Sequence, residues 1–267
     1  MSQYLTYFKI KFISGLQYRS AALAGLSTQF FFGLVFIMVY HAFYTSGSGK
    51  LPMEYSALVS YIWLGQAFYA LTYLYHREKD VINMIKNGDV AYELCKPGNL
   101  YLKWFFKIFG SKLSSVLLRF APVILVAIIL PINFRLTSPV SLYSFIGFIL
   151  TLILGSFLIT AITTLLHILT FYTIDAEGVL NFFRVIAELF AGAIVPIPFL
   201  PKFLQTISNY LPFQYISDVP FRIYVGNISS NMILNTLLIQ FIWFIIISII
   251  GIFLTKKALK KVIVQGG

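Results

Sequence analysis

HREKDVINMIKNGDVAYELCKPGNLYLKWFFKIFGSK, residues 76–112, is the stretch whose reading decides the fold. It is long, charged and helix-forming, and apolar runs long enough to cross a bilayer lie on both sides of it. Arg77, Lys79, Lys86, Lys96, Lys103, Lys107 and Lys112 all fall within it. Loops rich in Lys and Arg stay on the cytoplasmic side, so the sequence predicts a polytopic protein with one substantial cytoplasmic loop. Inside it, Val81, Ile82 and Ile85 give a short apolar face, and Gly88 is a helix stop. Asp89 is placed to cap a turn carrying Tyr92 and Leu94. Lys96-Pro97-Gly98-Asn99 is a turn by composition, with Asn99 placed to cap the next helix. From Leu100, Tyr101, Trp104, Phe105 and Phe109 mix with Lys103, Lys107 and Lys112, which predicts a helix riding in the inner interface before the third span. An ordinary solvated connector is the competing reading. The caps and apolar faces favour ordered short helices, which need a surface to dock on.

Composition agrees with a membrane solvent. Of 267 residues 59% are hydrophobic and only 11% charged, against about 45–50% and 25% in soluble domains. The formal charge of +11 has no soluble domain to carry a nucleic-acid surface, so it reads as topology and contact with anionic lipid. One cysteine, Cys95, excludes an intrachain disulfide framework, and the histidines His41, His76 and His167 lack metal-ligand spacing.

Working outward from the loop, the expected class is an all-α polytopic membrane protein forming a single domain over 1–267. Residues 1–20 carry Tyr4, Phe8, Phe12 and Leu16 at i, i+4 spacing with Lys9 and Lys11 off that stripe, the pattern of an interfacial amphipathic helix. A signal peptide is the alternative, but the following apolar run is too long for one. Six spans are expected at 21–44, 55–75, 113–132, 140–169, 179–199 and 233–254. In the second, Tyr61, Gly65, Tyr69 and Tyr73 make one helical stripe with Gln66 beside it. Tyrosine hydroxyls deep in a bilayer need partners, so this face either lines an interface or substrate path, or anchors at the membrane surfaces. In the fifth, Arg184 and Glu188 lie four residues apart, followed by Ala191 and Gly192. Each charge near the bilayer centre costs roughly 2.5–3.5 kcal/mol, which a mutual pair offsets in part. That pair is either a path charge or a structural ion pair.

After residue 195 the pattern changes. VPIPFLPKFLQTISNYLPFQYISDVPFRIYVGN holds five prolines, and its apolar pieces are too short to cross. Residues 200–226 are therefore expected to be re-entrant helices packed within protein. By this topology fourteen of the twenty basic residues fall inside, which puts both termini in the cytoplasm.

Several superficial signals carry nothing. GSGK at 47–50 lacks the rest of a phosphate loop, and Asn227-Ile228-Ser229 is a chance sequon. No HExxH, no GxSxG and no clustered carboxylates or histidines are present, so an intramembrane enzyme is the weakest class.

At this point the chain resembles a bacterial ABC-type exporter permease of the six-helix type-2 class. NGDVAYELCKPGNLYL (87–102) is similar to that family's G-x-I-A-Y-x-L-x-x-P segment, and FAGAIVPIPFLPKFLQTISNYLPFQY with PFRIYVG (190–226) to its G-x-x-x-P…P…L-P-F…P…I-Y-x-G ending. The resemblance implies an inner-membrane subunit that is itself no enzyme and binds no cofactor. ATP and Mg would sit on a separate ABC ATPase, and a second permease, identical or a sister chain, would complete a dimer. It implies that 1–20 and residues 76–98 of the coupling loop 76–112 contact the ATPase, through Arg77, Glu78, Asp80, Ile82, Ile85, Asp89, Tyr92 and Glu93. An outer gate would include Pro196, Pro198, Pro201, Pro212 and Phe213. Tyr61, Gln66, Tyr69, Arg184 and Glu188 are the candidates for a path that takes an amphipathic or hydrophobic cargo such as a drug, lipid or peptide. A stand-alone channel or ion-coupled carrier using Arg184 and Glu188 is the alternative, although no inverted repeat is evident.

Overall fold

The computed structural model describes residues 2–17, 19–46, 51–73, 78–173 and 176–260. The regular structure among them is helical, without strands. Four runs are long and apolar enough to cross a membrane: Ala22–Ser46, Leu100–Ile129, Leu142–Tyr172 and Ser230–Leu259. These fall on the expected first, third, fourth and last spans.

The first two helices are α1 (Ser2–Gln17) and α2 (Arg19–Ser46). The amphipathic stripe of α1 meets protein rather than lipid. Tyr4 stacks on Phe106 with ring centroids 5.9 Å apart, and Phe8 meets Phe109 at 5.6 Å. Of residues 55–75, expected as one span, the described ones form α3 (Tyr55–Ala67) and α4 (Tyr69–Thr72). The ladder crosses the kink at Phe68 through Phe68 N to Leu64 O at 2.9 Å and Thr72 N to Phe68 O at 3.1 Å. The kinked run is about 27 Å long at the α-helical rise, and Lys112 Nζ donates to the Tyr73 carbonyl beyond its end at 2.5 Å.

The charged stretch folds as short helices, α5 (Lys79–Asn87) and α6 (Val90–Leu94). Gly88 stops α5 at φ 77, a left-handed conformation that glycine adopts without strain. Asp89 precedes α6, but its side chain makes no capping bond, contrary to expectation. Asn99 does cap, accepting from Leu102 N at 3.4 Å, and opens α7 (Leu100–Leu117). A separate interfacial helix and third span were expected here. Instead α7 runs through a kink into α8 (Phe120–Ile129). Pro122 explains the kink, because it has no N–H to offer the Leu118 carbonyl.

The central post is α9 (Leu142–Leu169), packed by α13 (Ile233–Leu259), α12 (Asp218–Tyr224), α7 and α10 (Ala176–Phe190). Its buried Thr160, Thr163 and Thr164 each return a hydroxyl bond of 2.7 Å to the carbonyl four residues back, so no polar group faces the core unmatched there. Gln240 Nε2 ties α13 to α9 and the outer segment, donating to the Thr151 and Tyr215 carbonyls at 2.8 and 2.6 Å. The expected fifth span, 179–199, ends early, because α10 stops at Phe190 and Gly192 turns the chain at φ 71. Its 15 residues reach only about 22 Å, short of a hydrocarbon core of about 30 Å. The outer segment holds α11 (Lys202–Asn209) and α12 joined by 3-10 turns.

The closest helix pair is α1 against α7. A Cβ on Gly110 would lie 2.6 Å from the Phe8 carbonyl oxygen, a backbone atom that cannot swing aside. Gly110→Val therefore forces the helices apart, at a cost of about 1–3 kcal/mol. The expected outcome is faster limited proteolysis within α1 and a lower thermal midpoint in detergent. Unchanged values of both would contradict this packing.

Candidate functional site

Two groups of polar side chains stand out from the apolar bundle, one beside α1 and one between α3, α10 and α12. In the first, the Lys11 ammonium is shared by Glu78, on the approach to α5, and Asp80 Oδ2 at 2.7 Å. Burial works against its charge, but the bonds to Asp80 and Glu78 hold Lys11 above the ordinary lysine range. Glu78 also presents its main-chain N–H to His167 Nε2 at 3.3 Å. His167 Nδ1 lies 2.7 Å from the Thr163 carbonyl, so the ring is the neutral Nδ1–H tautomer. A second knot centres on Glu93, which is 6% exposed. Lys96 Nζ reaches its Oε1 at 2.9 Å and Lys107 Nζ at 3.7 Å. Lys103 is buried and donates to the Glu93 and Lys96 carbonyls at 2.9 and 2.8 Å, closing the end of α6. Burial opposes the Glu93 charge, yet its lysines hold the carboxyl below the usual range.

This layer divides the predicted contact residues. Ile82 is buried, and Val81 and Val90 pack with Trp104 in the same core as Tyr101. Glu78 and Glu93 are committed to internal lysines. Asp80 and Tyr92 are exposed, Tyr92 by 73%, and Ile85 and Asp89 are half-buried. Arg77 lies outside the described residues.

The second group borders a cavity of about 390 Å³ lined by α2, α3, α4 and α10, with the turn after α10 and the start of α12. Tyr61, Gln66, Tyr69 and Glu188 line it, together with Gln29, Arg119 and Phe36. Arg184 Nη1 lies 3.4 Å from the hydroxyl of Tyr73, another lining residue. Sequence reading missed Gln29 and Arg119 as cavity-lining residues; both are polar groups inside apolar runs, which was the available signal.

The outer wall hangs on Asp218, which is fully buried. Its Oδ1 accepts from Tyr61 Oη at 2.9 Å and Ile197 N at 3.1 Å, while Oδ2 accepts from Arg222 Nη1 at 3.2 Å. Ser217 Oγ donates to the Ala191 carbonyl at 2.7 Å. The start of α12 thus clamps the turn after α10 against α3. Left-handed Gly192 admits the clamp, since a Cβ there would lie 2.6 Å from the Tyr61 hydroxyl. Among the predicted gate residues Pro196 and Pro212 are buried, Pro198 and Phe213 half-buried and Pro201 exposed.

A family model described as ABC-2 family transporter protein matches residues 53–266, which includes α3 to α13. The chain belongs to the ABC-2 transporter family. As an ABC-2 protein it is a multi-pass membrane permease, of a family whose members work in the lipid bilayer with an ABC ATPase and are generally non-catalytic themselves. No curated protein and no solved structure matches the chain.

In this ABC-2 protein, Tyr61→Phe removes a donor from a buried carboxylate, at a cost of about 1–3 kcal/mol. Faster hydrogen exchange over 191–198 and a lower thermal midpoint are expected. Wild-type exchange in that turn would contradict the clamp.

Proposed function

We propose that the chain is the permease subunit of an ATP-driven exporter in the bacterial cytoplasmic membrane. It has six spans and two cytoplasmic termini, and works as a dimer with an identical or sister permease. The kinked run 55–72 and the short α10 serve as the second and fifth spans, the latter completed by the outer segment. A separate ATPase binds ATP and Mg and docks on the layer formed by α1, α5 and α6, through the exposed Asp80 and Tyr92 with Asp89 and Ile85 beside them. Glu78, Ile82 and Glu93 hold that layer together from within. The cargo is amphipathic or hydrophobic and passes the cavity beneath the clamp of Asp218, with the outer segment as its gate.

The observation that carries this reading is the ion-paired layer. Driving a two-state permease from 1:99 to 99:1 takes roughly 5.5 kcal/mol of differential binding. A layer tied together by Lys11 and fixed to α7 and α9 by Lys103 and His167 can pass on such a load; a solvated connector cannot. Two ion-pair knots, each on a buried glutamate, are more than a connector needs.

Copurification in mild detergent from the native host, with mass spectrometry of every band, tests it. An ATP-binding subunit and a six-span partner are expected, with Tyr92→Ala reducing ATPase recovery at least threefold and Gly110 and Asp218 untouched. Purification of the chain alone, with and without nucleotide, would overturn the proposal. Lys11→Glu is expected to lower permease-dependent ATP hydrolysis at least fivefold and Lys11→Glu with Asp80→Lys to restore part of it. Equal activity of the single and double variants would remove the ion pair from the coupling route.

A further inference from the structure

The cavity holds a carboxylate that no described residue meets at short range. Glu188 lines it half-buried, and its side chain makes no hydrogen bond and no ion pair with any described residue. Arg184, one turn earlier, acts on it through space but places its Nη1 3.4 Å from the Tyr73 hydroxyl. The Glu188 oxygens stay accessible. So do the amide atoms of Gln66, which also lines the cavity half-buried and makes no hydrogen bond with a described residue. Aromatic rings stand around these two groups. Tyr69, one turn after Gln66, is 38% exposed, stacks on Tyr73 with centroids 4.9 Å apart and lies within electrostatic reach of Glu188. On α2, Phe32 is 46% exposed and Phe36, one turn on, is half-buried. Gln66 reaches that wall, since a Cβ on Gly33, next to Phe32, would lie 3.2 Å from its Cγ. Arg119 lines the α2 side, where a Cβ on Gly25 would lie 2.6 Å from its Cζ; its charge directs a cation away from there and toward α10.

A carboxylate, an amide and aromatic faces together select a cation with an apolar body. An acceptor held at membrane depth is costly until a donor meets it, and a carboxylate there is a functional group by default. We propose that the cavity binds a cationic amphiphile, a protonated amine on an apolar body, with its ammonium at Glu188 and the Tyr69 ring and its body passing Gln66 toward Phe32 and Phe36. The ammonium gains a charge-assisted hydrogen bond and a cation–π contact. A cavity of about 390 Å³ has room for a small drug-sized molecule. An anion would be repelled by Glu188, and a wholly apolar molecule would leave the carboxylate and the amide unmet. This assignment narrows the cargo of the permease reading and rests on that reading for its physiological meaning, but the binding itself needs no ATPase.

The test uses the full chain in phosphatidylcholine nanodiscs at neutral pH, without ATPase or nucleotide. Radiolabelled propranolol, a naphthyl ring carrying a secondary ammonium, is titrated against empty discs, with naphthoxyacetate and isopropylamine as competitors. Saturable binding of propranolol is expected, with each competitor at least tenfold weaker. Glu188→Gln is expected to weaken binding at least tenfold, Tyr69→Leu to weaken it severalfold, and Tyr69→Phe, which keeps the ring, to leave it within twofold. Should Glu188→Gln fail to fold, the contrast of Tyr69→Leu with Tyr69→Phe decides. No saturable binding, equal competition by the anion or by the bare amine, or parental affinity in Glu188→Gln or Tyr69→Leu would each overturn the assignment. An ATPase partner found without amine binding sinks this inference and leaves the permease; amine binding without an ATPase partner does the reverse.

Discussion

The Lys11 ammonium, held between Glu78 and Asp80, is the interaction on which the placement of α1 against α5 depends. It joins α1 to the start of α5 across more than sixty residues of chain, and everything that α5 and α6 present is positioned from there. The constraint behind it is general. Where water is scarce, each charge and each backbone group has to find a protein partner. Lys103 finds two carbonyls, Lys112 finds the carbonyl of Tyr73, and Glu93 finds its lysines. Lys11, Lys103 and Lys112, which look like a cytoplasmic charge signal in the sequence, are structural bolts.

The same rule explains the outer end. Asp218 gathers Tyr61, Ile197 and Arg222, and so ties α3, the turn after α10 and α12 into one unit. Between the two ends lies the cavity, with α9 as the post behind it. A membrane permease needs parts that move together at each end and a deformable region between them. Here the clusters around Lys11 and Asp218 hold the two ends, and the helices break at Phe68 and Leu118.

Much of this was legible in the sequence because it is local. Gly88 and Asn99 act as the helix punctuation their types suggest, and the apolar face of Val81, Ile82 and Ile85 does find a docking surface. The stripe Tyr61, Gln66 and Tyr69 does share one cavity. What periodicity could not give was the partner. The α1 stripe meets α7, yet an i, i+4 pattern facing lipid reads identically. Asp218 was passed over although Arg222 lies four residues on, because its other partners, Tyr61 and Ile197, lie 157 and 21 residues away and nothing local marks them. The ending of α10 escaped notice because 193–199 is apolar enough to continue a span, and only the backbone at Gly192 reveals the turn.

The account stands on α1, α5, α6 and the start of α7 moving as a single body. The direct measurement is the distance between spin labels at Lys9→Cys and Asn83→Cys, two exposed positions on α1 and α5, in a Cys95→Ser background. It is taken by electron–electron resonance on the assembled complex, with and without a non-hydrolysable ATP analogue. A single narrow distance, unchanged by nucleotide, is the expected result. A broad distribution, or a distance that shifts when nucleotide binds, would mean that the layer flexes and that Lys11 is not the bolt described here.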